Sequence, residues 1–160
     1  EINILKVKSS NEMFENLKTS IENTQKNKKP FLFMAAAISD YIPPKSEGKL
    51  KKENLGDTWD LQLTQNIDIL NSLDKKDIIT IGFKAEMDKE NAKKNAVSMI
   101  EKKSIDGVCL NVIDENNSFG SDSNIIELIV NNKSFNFSGN KFDISLEIIE
   151  NLKNEFAENE

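Results

Sequence analysis

The sequence predicts an α/β domain with a mostly parallel, Rossmann-like sheet flanked by helices and extended by antiparallel hairpins. Three short apolar runs carry this reading: Phe31–Tyr41 (FLFMAAAISDY), Ile78–Phe83 (IITIGF) and Gly107–Leu110 (GVCL). A run that is apolar at every position fits a strand covered on both faces, although a short buried helix has the same pattern. Each run also breaks off at polar residues: Ser39 and Asp40, Lys84 and Glu86, and Asn111. Ligands of open parallel sheets bind outside the carboxyl ends of the strands, so three polar strand ends describe one ligand cleft.

The remaining elements follow from local pattern. Ile2–Val7 alternates weakly and is expected to be a strand. Ser10 is a candidate N-cap for a helix over Asn11–Asn23 with the stripe Met13, Phe14, Leu17 and Ile21. Lys26–Lys29 reads as a solvated loop. After Tyr41 the Pro43-Pro44 pair ends regular structure. Lys49–Lys52 and Thr58–Thr64 are expected to be the arms of a hairpin turning near Asn54–Asp57, and Ile67–Leu73 a short helix after Asn66. Asp88 should cap a helix over Lys89–Lys103 whose inner stripe is Ala92, Ala96, Met99 and Ile100. Asn131-Asn132 suits a tight turn between Ile125–Val130 and Ser134–Ser138. A closing helix over Asp143–Phe156 should bury Ile144, Ile148, Ile149, Leu152 and Phe156. Without repeats or a low-complexity linker, residues 1–160 read as a single α/β domain.

Composition removes several classes of function. The 160 residues carry a net charge of −6, which disfavours a nucleic-acid surface. All 21 basic residues are lysines, so phosphate must be held without the bidentate arginine fork. There is no histidine, which excludes Ser-His and Cys-His catalysis. The single cysteine, Cys109, sits in an apolar strand and reads as core, and one cysteine suits a reducing cytoplasm. No signal peptide or membrane-length apolar run is visible. The start at Glu1, without methionine, gives the chain the look of a fragment.

Single motifs have ordinary explanations beside their chemical ones. The alanines of AAAISDY allow close strand packing, or close approach of a base or sugar with Asp40 at hand to hold a hydroxyl or a cation. Alternation in GKLKK places Lys49 and Lys51 on one face, which is a solvated strand or a flap over a phosphate. Phe83 either closes the core or stacks on a planar ligand. Lys103 is either a snorkelling lysine at a helix C-terminus or a ligand contact. FGSDSN (Phe119–Asn124) is ordinary turn chemistry. Tyr41-x-x-x-Lys45 has the spacing of the short-chain dehydrogenase pair, but Pro43 and Pro44 disfavour the required helix and no Gly-rich dinucleotide turn is present.

The order of the motifs says more than any of them. AAAISDY, GKLKK, QNIDIL, GFKAEM, a helix ending in lysines with IDGVCLNV, then FGSDSN together resemble phosphopantothenoylcysteine synthetase, over nearly the whole chain. The resemblance implies a ligase of coenzyme A biosynthesis: CTP activates 4′-phosphopantothenate as an acyl-cytidylate, and the cysteine amine converts it to the amide. It implies that Ala35, Ala36 and Ala37 line the nucleotide and that Asp40 lies beside it near Mg²⁺. It also implies that Lys49 is a catalytic flap lysine and that Asn66, Ile67, Asp68, Ile69, Phe83 and Lys103 contact the nucleotide. A cytoplasmic homodimer, joined to an N-terminal phosphopantothenoylcysteine decarboxylase flavoprotein domain, is the expected assembly. Met99 stands where the family has a further lysine, Leu110-Asn111-Val112 where it has Ala-Asn-Asp, and Asn66-Ile67-Asp68-Ile69 where it has Asn-Pro-Asp-Ile. The family's N-terminal Gly-rich segment has no counterpart here, so the chain is expected to be inactive alone. The alternative is a non-catalytic nucleotide-binding or assembly module of the same fold.

Overall fold

In chain order the elements are α1 (Ser10–Asn23), β1 (Phe31–Met34), β2 (Tyr41–Ile42), β3 (Thr64–Gln65), α2 (Ile69–Ser72), β4 (Ile79–Glu86), α3 (Ala92–Lys103), β5 (Gly107–Val112), β6 (Ser123–Val130), β7 (Lys133–Asn140) and α4 (Lys141–Ala157). The computed structural model describes residues 2–24, 29–45, 48, 51, 53, 57–114, 117 and 120–157. The chain divides into two compact units, Asn23–Ala35 with Asp74–Glu160, and Glu1–Glu22 with Ala36–Leu73.

The larger unit holds a five-stranded sheet in the order β1-β4-β5-β6-β7. β1, β4 and β5 are parallel, while β6 and β7 add an antiparallel hairpin. The sheet, its flanking helices and the hairpin addition are the α/β architecture read from the sequence. Strand alternation divides the core between two helices. Val108 and Leu110 of β5 and Ile129 of β6 pack with Ala92 and Ala96 of α3. On the other face Ile79, Ile81, Cys109, Ile126, Leu128 and Val130 meet Ile144, Ile148 and Leu152 of α4. The α3 stripe is as expected, with Met99 and Ile100 packed beside it. In α4, Ile149 is 44% exposed instead of buried. The inward stripe is Ile144–Ile148–Leu152, and position 149 falls off its side.

The β6–β7 turn is Asn131-Asn132, with φ of 50° and 60°. Positive φ at both central residues is what a type I′ hairpin turn needs, and asparagine tolerates it. The strands extend beyond the expected limits because the register continues unbroken from Val130↔Lys133 to Ser123↔Asn140.

The run Phe31–Tyr41 is not one strand. Only Phe31–Met34 pair, residues 35–39 are irregular, and Tyr41 begins β2. Nor is the run covered on both faces, since Phe33 is 38% exposed. Two causes are visible. β1 pairs with β4 alone among the described residues, and that register stops at Met34↔Gly82; alanine contributes little to strand stability beyond it.

In the smaller unit, α1 has the expected stripe, half-buried at Met13, Phe14, Leu17 and Ile21. Its cap is Ser9, not Ser10: the Ser9 hydroxyl accepts from Glu12 N at 3.2 Å and its carbonyl from Met13 N at 3.0 Å. Glu12 reaches back to Lys8 N at 2.7 Å, a variant of the capping box. Ile2–Val7 is not a strand. It has no ladder partner among the described residues, and Ile2, Ile4 and Leu5 are exposed. The expected hairpin arms lie partly outside the described residues (49, 50, 52 and 54–56). Of the second arm only Thr64 pairs, with Gln65 just beyond it, and their partners are Ile42 and Tyr41. Most of the Lys26–Lys29 loop (residues 26–28) is also outside the described residues. Tyr41 in a strand, followed by irregular backbone through Lys45, agrees with rejecting a dehydrogenase helix.

Candidate functional site

In the larger unit the three parallel strands end in sequence across one edge of the sheet. β1 stops at Met34, opposite Gly82, whereas β4 and β5 continue together to Glu86↔Val112. Ala35, exposed, follows β1, and Phe83, 40% exposed, follows Gly82 on β4. Beyond them Lys84 Nζ lies 3.0 Å from Glu86 Oε1, which also accepts from Asn95 Nδ2 at 3.1 Å. The polar pair ending the IITIGF run is therefore occupied with itself and with the first turns of α3.

Gly82 is favoured by packing. A Cβ there would lie 2.8 Å from Met99 Cε and 2.9 Å from Ile105 Cδ1. Met99 thus serves as an apolar filler over β4. One turn later, Lys103 is half-buried at the C-terminal end of α3. That end leads back to the strand starts: Ile105 N donates to Ile100 O and Asp106 N to Thr80 O. Phe83 lies three residues further along β4 than Thr80, about 10 Å in an extended strand. Ala35 and Phe83 are the residues that follow the last β1–β4 pair, Met34↔Gly82, while the Lys103 backbone lies near the opposite edge.

Asn111 and a residue not singled out in the sequence, Asn117, close the edge between β5 and β6. Asn117 is 5% exposed. Its Nδ2 donates to Asn111 Oδ1 (2.7 Å) and Val112 O (2.8 Å), with Ile125 O at 3.3 Å, and its Oδ1 accepts from Ile125 N at 3.2 Å. The last paired residues of β5 and β6 are Leu110 and Glu127. Where the ladder ends, the Asn117 amide bonds both strands. No sequence signal marked it, because Asp114–Asn124 is rich in residues that favour any turn.

Asp88 accepts from Glu90 N (3.1 Å), Asn91 N (3.3 Å) and Asn91 Nδ2 (2.7 Å). The Asn91 side-chain bond, followed by its backbone bond, holds the Asp88 carboxyl below its usual value. These bonds make a turn over residues 89–91, so α3 begins at Ala92 and not at Lys89. Cys109 is fully buried, and loss of solvent pushes its thiol up to about 12, as a core cysteine requires.

In the smaller unit, Asn66 organises the segment that carries Asp40. Asn66 N donates to Asp40 O (2.7 Å) and Asn66 Nδ2 to Ser39 O (2.8 Å). Asn66 Oδ1 accepts from Ser10 Oγ (2.8 Å) and Ile67 N (2.9 Å). The α2 cap is Asp68, whose carboxylate accepts from Asn71 N at 3.2 Å. Ile67 is half-buried and Ile69 buried, so their side chains are turned largely from solvent. Ala36, Ala37 and Asp40 are exposed. The Asp40 backbone is fixed by Asn66, while its carboxylate makes no hydrogen bond or ion pair among the described residues. Lys49 lies outside the described residues. Among the described residues no three acidic, Cys or His side chains cluster to hold a metal, and no helix is long and apolar enough to cross a membrane.

Residues 1–156 match the family described as the DNA/pantothenate metabolism flavoprotein C-terminal domain. The coenzyme A biosynthesis bifunctional protein CoaBC of Haemophilus influenzae is 30% identical over 135 residues, covering 82% of this chain and 32% of that protein. The CoaBC of Methanocaldococcus jannaschii is 31% identical over 126 residues, 76% of this chain and 30% of its own length. The chain thus spans about a third of the curated relatives it matches. Among solved structures, the C-terminal domain of a CoaBC superposes with a TM-score of 0.68 at 19% identity, covering 96% of this chain and 66% of that one. A DNA/pantothenate metabolism flavoprotein from Streptococcus pneumoniae gives 0.68 at 19% identity, with 94% and 70% covered. A Cab2 mutant in complex with phosphopantothenate-cysteine gives 0.58 at 17% identity, with 84% and 48% covered. These structural likenesses establish the fold. The match over 156 of 160 residues, with the motif order above, places the chain in the DNA/pantothenate metabolism flavoprotein C-terminal domain family, the group of phosphopantothenoylcysteine synthetase domains.

Proposed function

We propose that the chain is the nucleotide-binding part of a ligase of coenzyme A biosynthesis that joins 4′-phosphopantothenate to cysteine at the expense of CTP. The observation carrying this reading is the family match along the whole chain. It is supported by the CoaBC relatives and by a Cab2 structure described as a complex with phosphopantothenate-cysteine. In this reading Ala35, just past the end of β1, and Phe83, within β4, offer a small surface and an exposed ring to the nucleotide. In the smaller unit Asn66 fixes the backbone of Asp40 and leaves its carboxylate available.

That carboxylate suits Mg²⁺ in one manner only. Mg²⁺ is commonly held by one or two carboxylates together with substrate phosphates and water, and no all-protein cage is found among the described residues. Bound Mg²⁺ would neutralise phosphate charge, with Asp40 as its protein ligand. Lys49 would stabilise the negative charge that develops as the acyl intermediate is converted. A homodimer, and fusion to a flavoprotein decarboxylase domain as in a CoaBC, complete the proposal.

Thermal unfolding with Mg²⁺ and CTP, ATP or UTP tests it. A ligand at a hundred times its dissociation constant adds about 2.7 kcal/mol. For a chain of this length that raises the midpoint by about 5–10 °C. CTP is expected to exceed ATP and UTP. Equal shifts with all three would remove the cytidine requirement, and no shift with any would remove the nucleotide-binding reading.

A further inference from the structure

The hydroxyl of Ser10 bonds outside its own helix, and we infer that Ser10 is a positioning residue for the nucleotide site. Acting through Asn66, it holds the Ser39–Asp40 backbone and so fixes where the Asp40 carboxylate stands. The two serines at the start of α1 have separate tasks. Ser9 supplies the cap, its hydroxyl accepting from Glu12 N at 3.2 Å, whereas Ser10 Oγ lies 2.8 Å from Asn66 Oδ1, 56 residues away. The direction of that bond follows from backbone groups whose roles cannot change. The Ser39 carbonyl can only accept and lies 2.8 Å from Asn66 Nδ2; the Ile67 N–H can only donate and lies 2.9 Å from Asn66 Oδ1. The Asn66 amide therefore has one orientation, and the Ser10 hydroxyl donates to it.

The place of this bond gives it consequence. Asp40 directly precedes β2 and Asn66 directly follows β3, and among the described residues that ladder has two pairs, Tyr41↔Gln65 and Ile42↔Thr64. So short a ladder is marginal by itself. Asn66 continues it, its backbone N–H donating to the Asp40 carbonyl at 2.7 Å and its side chain to the Ser39 carbonyl. Ser10 and Asn66 are half-buried, while Ser39 and Asp40 are exposed. Ser10 hence anchors an exposed strand end to the first turn of α1, all within the smaller unit. Removing the hydroxyl leaves Asn66 its bonds to Ser39, Asp40 and Ile67, so the segment loosens without unfolding. Groups that orient a metal's ligand from behind set how well the metal is held. The inference rests on the proposed ligase reading, in which Asp40 serves the Mg²⁺ of a bound nucleotide.

The discriminating variants are Ser10→Ala, Ser10→Thr and Ser9→Ala in the full chain. Alanine is a better helix former than serine and Ser9 still supplies the cap, so Ser10→Ala keeps α1. Calorimetric titration with CTP and Mg²⁺ is expected to give about three- to tenfold weaker binding by Ser10→Ala, and binding within about twofold of the parent by Ser10→Thr. Ser9→Ala removes a cap and should lower the unfolding midpoint, with affinity still within about twofold of the parent. Parental affinity in Ser10→Ala would overturn the assignment alone. An equal loss in Ser9→Ala would do so by making the effect one of helix stability, and failure of Ser10→Thr to restore binding by making it one of packing. A second readout needs no ligand. Amide exchange at Asn66, whose N–H is bonded to the Asp40 carbonyl, should be at least about threefold faster in Ser10→Ala, with Met13 of α1 unchanged. Equal Asn66 rates in parent and variant would overturn the coupling whatever the nucleotide does. Failure of the parent chain to bind CTP would overturn the assignment together with the proposed function.

Discussion

Glycine and cysteine positions show how tightly single residues are specified. A Cβ at Gly107 would lie 2.9 Å from the Ile129 carbonyl oxygen, while one at Gly82 meets only side-chain ends. Backbone cannot retreat as a methionine tip can. Urea unfolding should therefore rank Gly107→Ala, at about 2–3 kcal/mol destabilising, above Gly82→Ala at about 1 kcal/mol. Equal costs would mean that Met99 and Ile105 are as rigid as the sheet. Cys109 should not react with a disulfide reagent at pH 8 in the folded protein and should react fully in denaturant, since burial raises its thiol to about 12. The sign for stability is fixed as well. The unfolded thiol ionises near its ordinary value and the folded one far above it, so its contribution falls as pH rises from about 9 towards 12.

At the scale of elements, α3 depends on the turn that precedes it. The Asp88 carboxyl is lowered by its bonds to Asn91 and Glu90, so its contribution is present above the usual carboxylate value and is lost as pH falls through the lowered one. Amide hydrogen exchange at Glu90 and Asn91, corrected for intrinsic rates, should lose protection on acidification below about pH 4 while the centre of α3 keeps it. Simultaneous loss would assign the effect to global unfolding. The start of α3 also shows what a capping signal does and does not state. Asp88 was recognisable as a helix-initiating residue, but its bonds spend three residues on a turn before the first helical one. In α1 the side-chain cap likewise falls one residue from the candidate, on Ser9 instead of Ser10, and in α2 the cap is Asp68. Neighbouring polar residues at a helix start are alike in sequence, and only geometry selects the one whose oxygen reaches the free amides.

For the whole molecule the proposed chemistry depends on Lys49. Lys49→Glu is expected to abolish phosphopantothenoylcysteine formation by the full-length protein and to leave its unfolding midpoint within about 2 °C. Turnover at the parental rate would favour the non-catalytic module. Net charge of −6 and the lack of arginine suit neither nucleic acid nor a bidentate phosphate clamp. In the proposed function phosphate recognition would be spread over lysines, amides and a cation, and it was the order of the motifs, and no single one of them, that pointed to the family.

By itself the sequence determined the sheet's parallel centre, the β6–β7 hairpin, the inner stripe of α3 and the family. These follow from hydrophobic period, from two asparagines that tolerate positive φ, and from motif order, all of which are written locally along the chain. Tertiary structure decided where the FLFM strand stops, that Ile2–Val7 has no ladder among the described residues, that Asn66 holds the Asp40 backbone and that Met99 fills the space over Gly82. It also decided that Ser10 bonds Asn66. In each case the outcome depends on which distant group supplies a hydrogen-bond partner or occupies a volume, and a local pattern of residues carries no record of that neighbour.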